Sequence, residues 1–285
     1  MSDSLDFLVN LLDLEPIEVN IFRGTQPDEN RQRVFGGQVA GQALMAAGRT
    51  VQHATVHSLH AYFLRPGDPT VPILYEVDRI RDGRSFTTRR VKAIQHGQAI
   101  FNMACSFHAL EQGIAHQFPM PDVPAPETLP SLSERLAPFR DQLRDWFERP
   151  QPIEQRFIGD VPWPAANEPS VGAGEPFQRL WIRADGELAD DQLLHACVAA
   201  YASDMSLFDT ILAPHQIAWD DPSFMGASLD HCMWFHQPFR IDKWMLYDTD
   251  SPIAHGGRGL ARGFLYDEEG RLCVSMVQEG LTRII

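Results

Sequence analysis

The sequence predicts an α+β protein in which one structural unit occurs twice, each copy a small-residue helix followed by antiparallel strands. Three observations carry this expectation: two apolar helices rich in small residues, strand blocks that recur at a constant spacing, and a proline-rich stretch between the two sets. The constant spacing matters most. HAYFLRP (60–66) lies over CMWFHQP (232–238), PILYEVD (72–78) over WMLYDTD (244–250) and GQAIFNMACSF (97–107) over GRLCVSMVQEG (270–280), with offsets of 172 to 173 residues. Isolated matches have no reason to keep one offset across three blocks, so an internal duplication is expected.

In chain order, Leu5, Leu8, Val9 and Leu12 recur at helical spacing among Asp3, Asp6 and Asp13, as in a short docking helix. FGGQVAGQALMAAGRTV (35–51) is apolar and glycine-headed, a helix that can be covered on several sides. With its strands it makes a first unit over residues 1–115. Twelve of the 21 prolines fall between Pro119 and Pro176, beginning with PMPDVPAPETLP, which can form neither a sheet interior nor a long helix. Residues 116–176 therefore read as a connector, with a helix over 131–149 that keeps Leu, Phe and Trp on one side. DDQLLHACVAAYASD (190–204) is the helix of a second unit, 177–285, with acidic residues at its start where the helix dipole favours them.

The 285 residues, 44% hydrophobic and 22% charged, can build a substantial core. A formal charge of -14 has the wrong sign for a general nucleic-acid or anionic-membrane binder. No apolar run approaches the roughly 18 residues of a membrane helix, and the acidic N-terminal segment lacks the basic start of a secretory signal. Cys105, Cys197, Cys232 and Cys273 form no C-x-x-C pair, which suits reduced thiols. The C-terminal LTRII is not a Ser-Lys-Leu address, so the cytoplasm is the expected compartment.

Few residues stand out chemically. Strand alternation puts Leu272, Val274, Met276 and Gln278 on one face, and an amide on an apolar face needs partners. Gln278 either meets solvent at a strand end or holds a water or substrate. Asp204 closes the second helix, where it either caps a new turn or serves as a general base. Ser228 lies in GASLD, which has Asp230 where a G-x-S-x-G nucleophile elbow requires glycine, and this argues against a nucleophilic serine. His57 and His60, like His231 and His236, point to opposite strand faces, so no metal site is expected. Arg79, Arg81, Arg84, Arg89, Arg90 and Lys92 crowd into 14 positions with Asp82 the only acid among them. They form either a solvated strand face or a seat for phosphate groups. Gly36 and Gly37 open the first helix, where glycine permits either helix packing or close backbone approach to a ligand.

VFGGQVAGQAL, HAYFLRPGD, RDGRSF, WIRA, YASD, LDHCMWFH, ARGF and VSMVQEG, in order from residue 34 to 280, resemble the acyl-CoA thioesterase II family over nearly the whole chain. The resemblance implies a double hot-dog fold, two sheets each curled round a long helix, and hydrolysis of fatty acyl-CoA thioesters without metal or cofactor. It puts the family's water-positioning Asp, Thr and Gln on Asp204, Ser228 and Gln278. Serine in place of threonine keeps the hydroxyl and loses a methyl. Substrate binding is expected at Gly36, Gly37, Arg84, Arg89 and Arg90, and a homo-oligomer by analogy. Carrying the offsets across puts Val56 opposite Ser228 and Cys105 opposite Gln278, so a catalytically silent first unit is expected. A hot-dog enoyl-CoA hydratase and a non-catalytic acyl-CoA binding protein are the alternatives.

Overall fold

The computed structural model describes residues 2–27, 32–161, 174–215, 217, 219 and 221–285. Helix α1 (Asp3–Leu12) is capped by Ser2, whose hydroxyl accepts from the Leu5 N–H, and it buries Leu5, Leu8, Leu11 and Leu12. Strands β1 (Glu15–Glu18) and β2 (Ile21–Gly24) come next. They precede helix α2 (Gly36–Gly48) and strands β3 (Thr55–Phe63), β4 (Ile73–Asp82), β5 (Phe86–Gln95) and β6 (Gln98–His108). Every α2 residue after Gly36 is buried. The helix touches each strand from β2 to β6, a contact set that only a sheet curved around it allows.

The expected 131–149 helix is broken into α3 (Leu132–Leu136), a 3-10 turn and α4 (Arg144–Glu148), because Pro138 cannot continue a helix. The stretch read as a connector also supplies a strand, β7 (Ile153–Ile158), paired with β8 (Phe177–Ala184). Its residues 162–173 lie outside the described residues. Then follow α5 (Gln192–Ser203), α6 (Asp209–Leu212), β9 (Phe224–Ser228), β10 (Asp230–Phe235), β11 (Met245–His255), β12 (Arg258–Asp267) and β13 (Leu272–Ile284).

The two halves share one strand order. The first runs β1-β2-β4-β5-β6-β3 and the second β7-β8-β11-β12-β13-β10, and antiparallel pairing of β3 with β10 joins them into a single sheet. Register repeats the spacing found in the sequence: His60 faces Ala104 as Cys232 faces Val277, and Tyr75 faces Ala93 as Tyr247 faces Leu265. One difference from the expectation is that each helix is preceded by two strands, and that α5 is followed by five where α2 is followed by four, the extra strand β9 pairing with β13 off the shared order. Helices α2 and α5 lie antiparallel. A Cβ at Gly41 would meet the Cys197 carbonyl oxygen at 3.0 Å, and one at Gly37 the Tyr201 carbonyl oxygen at 2.4 Å. The start of α2 therefore meets the end of α5, and the end of α2 meets the start of α5. Among the described residues no helix is long and apolar enough to cross a membrane.

Candidate active site

Three chain segments far apart in sequence meet where α2 begins. Asp204 is the C-cap of α5, Ser228 the last residue of β9, and Gln278 an inward residue of β13. Gln278 Nε2 donates to Asp204 Oδ1 at 2.7 Å and to Ser228 Oγ at 2.9 Å, while Gln278 Oε1 is buried without a partner. A carboxylate can only accept, so the amide nitrogen faces Asp204. The position of Gln278 follows from a change of partner along β13, which pairs with β10 through Val277 and with β9 from Gly280. Asp230 Oδ1 holds the Glu279 N–H at that junction, at 2.7 Å.

Packing encloses the Asp204 carboxylate except toward a cavity, and burial pushes its pKa up to about 6. The Gln278 amide, the Gly37 N–H and the positive charge of Arg33 oppose that rise. The cavity has a volume of about 490 Å³. Its apolar wall includes Val39, Phe63, Phe101, Phe208 and Trp219. Gly36 lines it too, and a Cβ there would sit 2.7 Å from Asp204 Oδ2, so only glycine lets the helix start so close to the carboxylate.

The other expected site residues fall out differently. The Gly37 N–H is engaged with Asp204, and Gly37 itself packs against α5, so of the two glycines Gly36 faces the cavity. Arg89 is 1% exposed and its guanidinium is taken up by Thr50, Asp82 and the Arg81 and Thr88 carbonyls. Arg90 pairs with Asp78, and Arg84 sits in the β4–β5 turn, at the other end of the sheet from Asp204. None of these three arginines lines the cavity. The basic groups that do are Arg33, whose Nη2 donates to the Gly226 carbonyl, and Arg65, whose Nη1 donates to the Ala99 carbonyl. Both are loop residues, where no periodicity sets a binding arginine apart from a solvated one. No cluster of His, Cys, Asp and Glu among the described residues could hold a metal ion.

Residues 25–108 match the model of an acyl-CoA thioesterase N-terminal domain, and residues 147–281 that of an acyl-CoA thioesterase. The chain is 44% identical to acyl-coenzyme A thioesterase 8 of Rattus norvegicus, over 97% of this chain and 88% of that one. An acyl-CoA thioesterase II from Mycobacterium marinum superposes with a TM-score of 0.79 at 42% identity, covering 98% of each chain. A hot-dog protein from Alicyclobacillus acidocaldarius, 20% identical over 98% of each chain, shares the fold with a TM-score of 0.77. On its sequence, its paired curled sheets and these likenesses, the chain belongs to the acyl-CoA thioesterase family.

Proposed function

We propose that the chain hydrolyses acyl-CoA thioesters to a free acid and CoA, using a water activated by Asp204 and oriented by Ser228 and Gln278. The observation that carries this reading is the Gln278 bridge: one amide nitrogen holds both Asp204 and Ser228 beside a cavity with aromatic walls. Ser228 Oγ accepts from Gln278, which leaves its own proton free to donate to the water. The unpartnered Gln278 Oε1 is a further acceptor. A base with a pKa of about 6 is ionised at neutral pH and still basic enough to take a proton in the transition state.

Asp204 removes a proton as the water oxygen attacks the thioester carbonyl carbon. The tetrahedral oxyanion is stabilised by the Gly36 N–H, which has no intrahelical partner at the first position of α2. Collapse breaks the C–S bond, and the proton held by Asp204 goes to the departing thiolate. The aromatic wall takes the acyl chain, and Arg33 and Arg65 face the anionic CoA.

Incubation with saturated and 2-enoyl acyl-CoAs tests the reading: free CoA is expected from the saturated substrate. Formation of 3-hydroxyacyl-CoA would indicate a hydratase, and no turnover a binding protein. The hydratase has no support from a histidine near the base, because His231 is buried against Ser203 and does not line the cavity. Intact mass after rapid quench is expected to show no acyl adduct on Ser228; an adduct would replace direct water attack with a two-step route. Free thiols accord with a cytoplasmic enzyme. Self-association, expected from the fold, is checked by light scattering.

A further inference from the structure

The antiparallel packing of α2 and α5 creates a second cavity at the opposite end of the helix pair, related to the first by the internal duplication. The sequence offset carries Phe63 and Pro66 of the first cavity to Phe235 and Pro238 of the second, and Ser228 of the first to Val56 of the second. The second cavity is the larger, at about 630 Å³ against about 490 Å³. It lacks the hydrolytic groups: Val56 stands for Ser228, Cys105 for Gln278, and α2 ends in Gly48 and Arg49 where α5 ends in Ser203 and Asp204.

A cavity that had merely lost its chemistry would be expected to fill with apolar side chains, since unfilled core space costs stability. This one has remained open and has gained polar groups. His57 takes the place of Leu229, and His236 that of Leu64. His57 Nε2 is buried without a hydrogen-bond partner, a cost that a bound acceptor would remove. Its ring lies edge-on to Phe86 and His108, which stack on each other at 4.2 Å. Of the acids beside the cavity, Asp191 caps α5 by accepting from the Leu193 N–H, and Glu111 Oε2 lies 3.4 Å from His108 Nε2, which has no hydrogen-bond partner.

The β4–β5 turn stands beside the same end. Phe86 pairs with His108, and the Ala109 N–H donates to the Ser85 carbonyl at 3.0 Å. Arg84, exposed and without an ion pair among the described residues, is the chain neighbour of Ser85, which that bond ties to the cavity-lining Ala109. We propose that the second cavity is a non-catalytic acyl site, in which an acyl chain lies against Val51, Leu193 and Phe235 and its anionic head meets His57 and Arg84. The ligand class rests on the hydrolytic reading, because substrate and product of that reaction both join an acyl chain to an anionic head.

The test counts bound ligand on the full chain by calorimetry, with S-dodecyl-CoA, a non-hydrolysable thioether, and with dodecanoate. Two molecules per chain are expected for at least one probe. If only the thioether reaches two, the head is CoA; if dodecanoate reaches two, a carboxylate suffices. Ala54→Trp, which fills the cavity from a half-buried loop position, is expected to reduce two to one. His57→Leu, a conservative change in size, is expected to weaken the second event about tenfold, as loss of a hydrogen bond to a charged group does. One molecule per chain with both probes, or a second event unchanged in both variants, overturns the proposal. Since the readout is occupancy, two sites without hydrolysis would sink the hydrolytic reading alone, and one site with full hydrolysis would sink this one alone.

Discussion

At one rung of their ladders the two halves of the molecule make opposite choices. In the first half Arg89 faces Cys105, and at the same register in the second half Ala261 faces Gln278. All four are buried. In the first half the long side chain is a cation just beyond the end of α2, where Arg89 donates to Thr50 Oγ1 and to the Thr50 carbonyl. That is the end of a helix at which the dipole favours positive charge. In the second half the long side chain is a neutral amide, and the helix ends in a carboxylate, the charge the dipole disfavours there. The first arrangement satisfies its helix end. The second keeps a poorly solvated carboxylate beside a cavity, and the comparison teaches that, on the proposed mechanism, the second half has given up local stability for a reactive group.

The largest effect that could break this contrast is on the base itself. Asp204→Asn is expected to fold and to lower kcat by about 10²-fold or more, the size of general-base assistance. In the native enzyme kcat should fall as the pH drops below about 6, where Asp204 takes up a proton. Steady-state kinetics from pH 5 to pH 8 check both, and an Asn variant with native turnover would remove Asp204 from the mechanism.

Next in size is the pair of substitutions at equivalent rungs. Gln278→Ala removes orientation and leaves the base, so a loss of about 10- to 100-fold is expected. Cys105→Ala is expected to leave kcat within about twofold, since a buried thiol acts as a small hydrophobe and burial pushes its pKa up to about 12. Equal damage from the two would mean that both halves carry out hydrolysis.

That contrast was partly legible in the sequence, for stated reasons. The constant offset revealed the duplication, and alternation along the last strand turned Gln278 inward with Val274 and Met276. What alternation could not show is that Gln278 meets Asp204, 74 positions away. That meeting depends on β13 changing partners and on Asp230 fixing the junction. The edge strand β1, EPIE, is exposed throughout and carries no period-two signal. The basic run does not form one patch. Arg89 and Arg90 are adjacent in a strand, so one had to face inward, and the inward one is bound to backbone carbonyls rather than to a ligand.

Arg89 sharpens the comparison through stability rather than rate. Arg89→Met strands the hydroxyl and carbonyl groups its guanidinium satisfies, a loss of about 3 kcal/mol by the cost of unmade buried hydrogen bonds. Urea denaturation is expected to show it, with little change in KM for acyl-CoA. A large rise in KM with unchanged stability would return Arg89 to the binding site.

The smallest expected effect is a gain in stability from the same substitution that is expected to lower kcat most. Because the folded protein holds the Asp204 proton up to about pH 6, it binds more protons than the unfolded chain between about pH 4 and pH 6. Stability must then fall as pH rises through that window and stay lowered above it, the reverse of an ion-paired carboxylate. Asp204→Asn removes the titrating group while its Oδ1 can still accept from Gln278. The variant should match the native protein near pH 4 and exceed it at pH 8 by about 1 kcal/mol, below the full linkage value because water reaches the carboxylate through the cavity. Paired denaturation curves at the two pH values decide it. A native protein more stable than the variant at pH 8 would mean that Gln278 and the Gly37 N–H outweigh burial, and that the second half has given up no stability at its base.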